Sequence, residues 1–172
     1  MKVKGILEVL KEINNLKKRR TLKDYAIAGG IAKNYYLEPQ FTYDLDIFIL
    51  IDTMDNFHNI YNYFRRKKHK IENVFIIIQD IPVQFFPSFI HPLIEEAIKN
   101  AKLIKVSKVR TKILTAEYLI ATLLMSFRQK DKYAIMELLS FADMNLLKRI
   151  LKKFSNKDYP IYERFKATIK EK

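Results

Sequence analysis

The sequence predicts an α/β (α+β) fold: a mixed β-sheet flanked by helices, with a helical C-terminal portion packed beside it. Three observations carry this expectation. Short β-branched and aromatic runs alternate with amphipathic stretches as far as Leu114, from Thr115 onward every apolar stripe recurs at helical spacing, and no low-complexity linker interrupts the chain. Residues 1–114 are therefore read as the α/β core and 115–172 as the helical portion, together one compact unit.

Val3, Ile6, Leu7, Leu10 and Ile13 form one apolar stripe of a first helix, which runs out into Lys17-Lys18-Arg19-Arg20. Cations there complement the negative end of the helix, and they equally suit contact with a phosphate backbone. Tyr25 to Ala28 reads as a strand that turns at Gly29-Gly30 into a helix over residues 31–37, closed by Glu38-Pro39. Thr42 to Ile51 is a second strand, apolar on both faces in its far half and so expected at the centre of the sheet. A helix over Met54 to Lys70 places Phe57, Ile60, Tyr61 and Phe64 inward and carries the basic run Arg65-Arg66-Lys67-Lys68-His69-Lys70. Six such residues exceed what a helix end requires, so Arg65, Arg66, Lys67 and Lys68 are candidates for polyanion binding, with a solvated helix end as the alternative.

Val74–Ile78 and Ile81–Phe86, separated by Gln79-Asp80, read as a hairpin whose turn lacks glycine. Gln84 shares a face with Pro82 and Phe86, in a strand expected beside the one that carries Asp44 and Asp46. A short helix over Leu93–Ala101 and extended segments at 103–106 and 110–114 complete the mixed half. Thr115 is the expected N-cap of a nearly continuously apolar helix through Phe127. Helices near Asp131, over Asn145–Phe154, and after a Ser155-x-x-Asp158 capping signal finish the chain.

A net charge of +13 favours polyanionic partners through steering and counterion release, although abundant lysine, isoleucine and asparagine also fit a general compositional bias. The absence of cysteine excludes disulfides and thiolate metal sites, and three histidines make a His-based zinc site a poor expectation. No apolar signal region follows Met1 and no stretch approaches a membrane span, so a cytoplasmic protein without membrane association is expected.

The stretch from Tyr25 to Ile51 concentrates the chemistry. Two of only three glycines stand side by side at a strand-to-helix junction, which implies close approach to the backbone there. Asp44 and Asp46, two residues apart on an extended segment, face one side roughly 6–7 Å apart. Their repulsion at an effective dielectric of about 20 is on the order of 2–3 kcal/mol. A divalent cation that also holds a phosphate would relieve it.

These features in this order resemble the nucleotidyltransferase superfamily with the polymerase-beta-like fold, and among its members the small nucleotidyltransferase-like proteins related to the AbiEii/MenT toxin group. The residues that carry the resemblance are Gly29-Gly30 after a strand, Thr42-Tyr43-Asp44-Leu45-Asp46-Ile47-Phe48, Pro82-Val83-Gln84-Phe85-Phe86, the Pro92-Leu93-Ile94-Glu95-Glu96-Ala97 helix, Thr115-Ala116-Glu117-Tyr118-Leu119 and Arg128-Gln129-Lys130-Asp131. The resemblance implies transfer of NMP from an NTP to a hydroxyl acceptor, with RNA or tRNA as a candidate acceptor and a cognate antitoxin as a candidate partner. It implies that Gly29 and Gly30 bind phosphates, that Asp44 and Asp46 are catalytic ligands of Mg²⁺ or Mn²⁺, that Lys130 and Asp131 are further catalytic candidates, and that Arg128 adds charge at the nucleotide.

Two departures stand out. The position of the usual third carboxylate holds Gln84, which cannot act as a base. A lysine common in toxin-like relatives falls at Leu123, while Asp80 and Asp131 are the candidates to replace the missing carboxylate. The alternative reading is a catalytically inactive module of the same fold that binds nucleic acid or a toxin–antitoxin partner.

Overall fold

A computed structural model describes residues 3–170, without the side chains of Val3 and Lys130. Seven strands form one mixed sheet: β1 (Asp24–Ile27), β2 (Leu45–Leu50), β3 (Lys70–Glu72), β4 (Phe75–Ile78), β5 (Ile81–Pro87), β6 (Lys102–Val106) and β7 (Val109–Ile113). Their order is β3-β4-β5-β2-β1-β7-β6, with β2 parallel to β5, β1 parallel to β7 and the remaining pairs antiparallel. The doubly apolar run of β2 thus occupies the middle of the sheet, as its pattern requires. The expected strand over Thr42 to Ile51 is shorter than its extended sequence, because pairing begins only at Leu45, opposite Val83.

Helices cover both faces. On one lie α1 (Val3–Lys18) and α3 (Met54–Arg66), where Tyr25 donates its hydroxyl to Asn14 and Phe64 stacks on Phe85 with ring centroids 6.1 Å apart. On the other lie α2 (Gly29–Tyr36), α4 (Pro92–Lys99) and α5 (Ala116–Ser126), over the face that carries Asp46, Phe48, Gln84 and Phe86. Helix α5 buries eight of its residues, from Ala116 through Leu124, and packs against α6 (Gln129–Leu138), α7 (Met144–Phe154) and α8 (Ile161–Lys170). Buried Glu117 ties this portion together, since its carboxylate accepts the backbone N–H of Asp143 just before α7.

Four local expectations change. The helix expected to reach Lys70 ends at Arg66, and Lys70 instead opens the three-residue β3, whose alternating pattern is too short to register against the preceding helical period. The glycines do not precede α2 but begin it, after an extended Ala28. Thr115 occupies the N-cap position of α5 without capping it, its hydroxyl buried and without a hydrogen-bond partner. At the end of α7, Ser155 accepts the N–H of Tyr162 and donates to Glu163, so the capping signal works across a longer turn than Ser155-x-x-Asp158 implied. The glycine-free hairpin does form: Gln79 and Asp80 adopt φ of 51° and 62°, the left-handed pair of a tight two-residue turn.

Candidate active site

Where β1 ends and β2 begins, the chain closes on itself. The N–H of Ala28 bonds the carbonyl of Asp46 at 2.9 Å, after which Gly29 takes φ of +56° and the chain enters α2. A methyl group on Gly29 would lie 1.8 Å from Asp46 Oδ2, and one on Gly30 would lie 2.5 Å from Thr42 Oγ1. The close approach that the glycine pair implied is therefore made first by the chain's own Asp46 and Thr42. Ala28 offers no side-chain cap to α2 and no acidic residue of the helix stands in its first turn; the Asp46 carboxylate packs against that positive end from β2.

This junction forms one wall of a cavity of about 720 Å³, within the range of small-molecule sites. Gly29, Gly30, Asp44 and Asp46 meet Gln84 there, and Arg128 faces them from the segment between α5 and α6. Gln84 stands directly opposite Asp46 in the parallel β2–β5 register, so the sequence-based placement of the two strands is correct. An apolar wall is built by Phe48, Phe86, Ile90, Ile94, Leu123 and Met125.

The cationic side of the cavity rests on a residue that does not line it. Asp131 is fully buried; its Oδ2 accepts from Arg128 Nε at 2.9 Å and from Ser126 Oγ at 3.1 Å. Its Oδ1 has no hydrogen-bond partner and faces the Lys33 ammonium at 3.7 Å. Asp131 thus lies behind the cavity wall, closed to solvent, between the Arg128 and Lys33 cations. The hydrogen bond to Asp131 holds Arg128 still more firmly in its charged form, and the carboxylates of Asp46 and Asp44 add weaker attraction. Arg128 therefore feels both aspartates across the cavity.

Lys33 escaped the sequence reading. It lies four residues after Gly29, one helical turn along the same face, and that spacing was the available signal. It brings an ammonium to the cavity that Leu123 lines without charge. The side chain of Lys130 is outside the described residues; its backbone lies in the first turn of α6. Asp80 sits in the β4–β5 turn and does not line the cavity.

Arg65, Arg66, Lys67 and Lys68 lie apart from this site, at the end of α3 on the opposite face of the sheet. Lys67 is bound by both carboxylate oxygens of Glu12 at 2.8 Å and lies over the Tyr63 ring. Burial pushes the Glu12 carboxyl upward, but hydrogen bonds from Lys67 and Tyr63 outweigh it and leave Glu12 below its ordinary range.

Solved structures share this arrangement of strands and helices. A nucleotidyltransferase-like protein from Paracoccidioides brasiliensis, described as antigenic, superposes with a TM-score of 0.60 at 17% identity over 95% of this chain and 93% of that one. The chain has the nucleotidyltransferase fold. The same fold is seen in ANT(2'')-Ia, an antibiotic-resistance factor, with a TM-score of 0.57 at 10% identity over 99% of this chain and 98% of that one. A crystal structure of ANT(2'')-Ia in complex with adenylyl-2''-tobramycin gives 0.56 at 11% identity over 86% and 95% of the two chains. No family model and no curated protein matches the sequence. On the nucleotidyltransferase fold of this chain, the two aspartates, the glycine pair and two cations converge on one cavity.

Proposed function

We propose that this chain transfers a nucleoside monophosphate from an NTP to a hydroxyl acceptor, with RNA, tRNA included, as the acceptor class. The observation that supports this most is the meeting of Asp44 and Asp46 with Gly29 and Gly30, at the N-terminus of α2, in a single cavity. Among the described residues no cluster of three or more His, Asp or Glu side chains forms a self-sufficient metal cage. The two carboxylates of Asp44 and Asp46 nevertheless fit Mg²⁺ or Mn²⁺, which take hard oxygen ligands and keep waters or substrate phosphates in the rest of their shell. A divalent ion held by Asp44 and Asp46 would neutralise the triphosphate and lower the pKa of an attacking hydroxyl.

The protein's own groups divide the remaining work. The N–H groups at Gly29 and Gly30, with the helix dipole behind them, bind phosphate oxygens. Lys33 and Arg128, held by Asp131, balance the charge of the departing pyrophosphate. Gln84 orients the acceptor hydroxyl by hydrogen bonding without taking its proton. The apolar wall around Phe48 and Phe86 receives the nucleoside and limits water. The acceptor oxygen forms a bond to the α-phosphorus as the bond from that phosphorus to the bridging oxygen breaks; pyrophosphate leaves with the electron pair, and the hydroxyl proton passes to solvent water at the mouth of the cavity.

The +13 charge supports an anionic acceptor, because an amine-rich one such as the tobramycin seen with ANT(2'')-Ia would meet like charge. The kinship with the AbiEii/MenT group, and with it an antitoxin partner, rests on motif order alone. Titration of Mn²⁺ and a non-hydrolysable NTP tests the site. Asp44→Asn is expected to weaken joint binding at least tenfold and abolish transfer of labelled nucleotide to RNA. Undiminished metal–nucleotide binding in Asp44→Asn would overturn the proposal.

A further inference from the structure

Between α2 and β2 the chain crosses the mouth of the cavity as a stapled segment. The side-chain amide of Asn34 donates to the carbonyl of Gln40 at 2.7 Å, and its oxygen accepts the Gln40 N–H at 3.0 Å. Two residues on, Thr42 packs against the bare Cα of Gly30 and donates to the carbonyl of Asp44 at 3.2 Å. Thr42 turns inward, while its neighbours Phe41 and Tyr43 turn outward. Phe41 is 87% exposed and Tyr43 70%, and both border the cavity. Their rings are held in water at the mouth of a site by a segment fixed on both sides of them.

We propose that Phe41 and Tyr43 form a stacking platform for unpaired bases of a single-stranded nucleic-acid acceptor, whose terminal hydroxyl enters the cavity. The inference rests on the nucleotidyl-transfer reading of that cavity. Burial decides between the two bases that these rings could stack. The nucleoside of the bound NTP has an enclosed apolar wall in Phe48, Phe86 and Ile94, whereas rings so exposed at the rim face a ligand that extends beyond the cavity. Charge decides the class of that ligand, since Arg128 lies at the same mouth and the chain as a whole is strongly cationic. Stacking tolerates any base, because every base offers a flat π-face.

The test measures three affinities on the full chain: a labelled single-stranded RNA, the same sequence as a blunt duplex, and Mn²⁺ with a non-hydrolysable NTP. Phe41→Ala and Tyr43→Ala are each expected to weaken single-strand binding roughly tenfold, to leave duplex and nucleotide binding unchanged, and to be rescued by Phe41→Trp and Tyr43→Trp. Undiminished single-strand affinity in the double alanine variant would overturn the proposal and leave the rim to a protein partner. A parallel loss of nucleotide affinity would overturn it by assigning the rings to the nucleoside. If the wild-type chain binds nucleotide but no RNA, the platform falls while the transferase reading stands. If it binds RNA through these rings but no metal–nucleotide, the platform holds and the transferase reading falls.

Discussion

At Gly29 folding and chemistry make the same demand. A side chain there meets a positive φ, costing about 1–2 kcal/mol for an L-residue, and it also meets the Asp46 carboxylate at 1.8 Å. Gly29→Ala is expected to lower stability by about 2–4 kcal/mol and to displace Asp46 enough to abolish metal–nucleotide binding. In an Asp46→Gly background the same substitution should cost only the backbone strain, which urea denaturation of the four proteins measures as a cycle. An equal penalty in both backgrounds would show that Asp46 is not the obstacle. Asp131 sets a second residue-scale test. Asp131→Asn leaves Lys33 and Arg128 without their buried counter-charge and should cost about 3 kcal/mol. Adding Lys33→Met should recover part of that stability, with nucleotide affinity reduced throughout.

Elements were readable where a period ran long enough to be counted. The apolar run of β2 foretold a central strand, and the alternation around Gln84 foretold its neighbour, because burial on two faces and on one leave different patterns. Strand β3 was not readable, since three residues carry no period and their pairing with β4 is a long-range choice. Lys33 was missed through the same limit, because its meeting with Asp131 depends on how α2 docks against α6. Asp24, another such joint, clamps three elements: one oxygen meets Lys17 of α1 and the other Lys112 of β7, each at 2.7 Å. Partial burial pushes this carboxyl up, but hydrogen bonds from Lys112, Lys17 and the Tyr25 N–H together hold it below the ordinary aspartate range. A depressed carboxyl contributes stability that is present above the unfolded pKa and is lost as pH falls through the folded one. The denaturation midpoint should therefore hold between about pH 7 and 5 and drop below about pH 4. Asp24→Asn should remove about 1–2 kcal/mol at neutral pH and flatten that acid drop.

For the whole molecule, the sheet separates two cationic regions that net charge alone could not tell apart. Lys33 and Arg128 face the cavity through a buried carboxylate, whereas Arg65, Arg66 and Lys68 stand at the end of α3 behind the opposite face. The largely buried Lys33–Asp131 pair is weakly screened, while exposed charges act over about a Debye length, roughly 10 Å at 0.1 M salt. The two regions should therefore separate in a salt titration. Reversing Arg65, Arg66 and Lys68 together to glutamate spares Lys67, which already belongs to Glu12. If α3 binds the phosphate backbone, the slope of log affinity for single-stranded RNA against log salt should shrink by about 0.7 for each phosphate left without its cation, while the Mn²⁺-dependent affinity for an NTP analogue stays unchanged. An unaltered slope would make this cluster a solvated helix end, and a fall in nucleotide affinity would show that its field reaches through the sheet to the site.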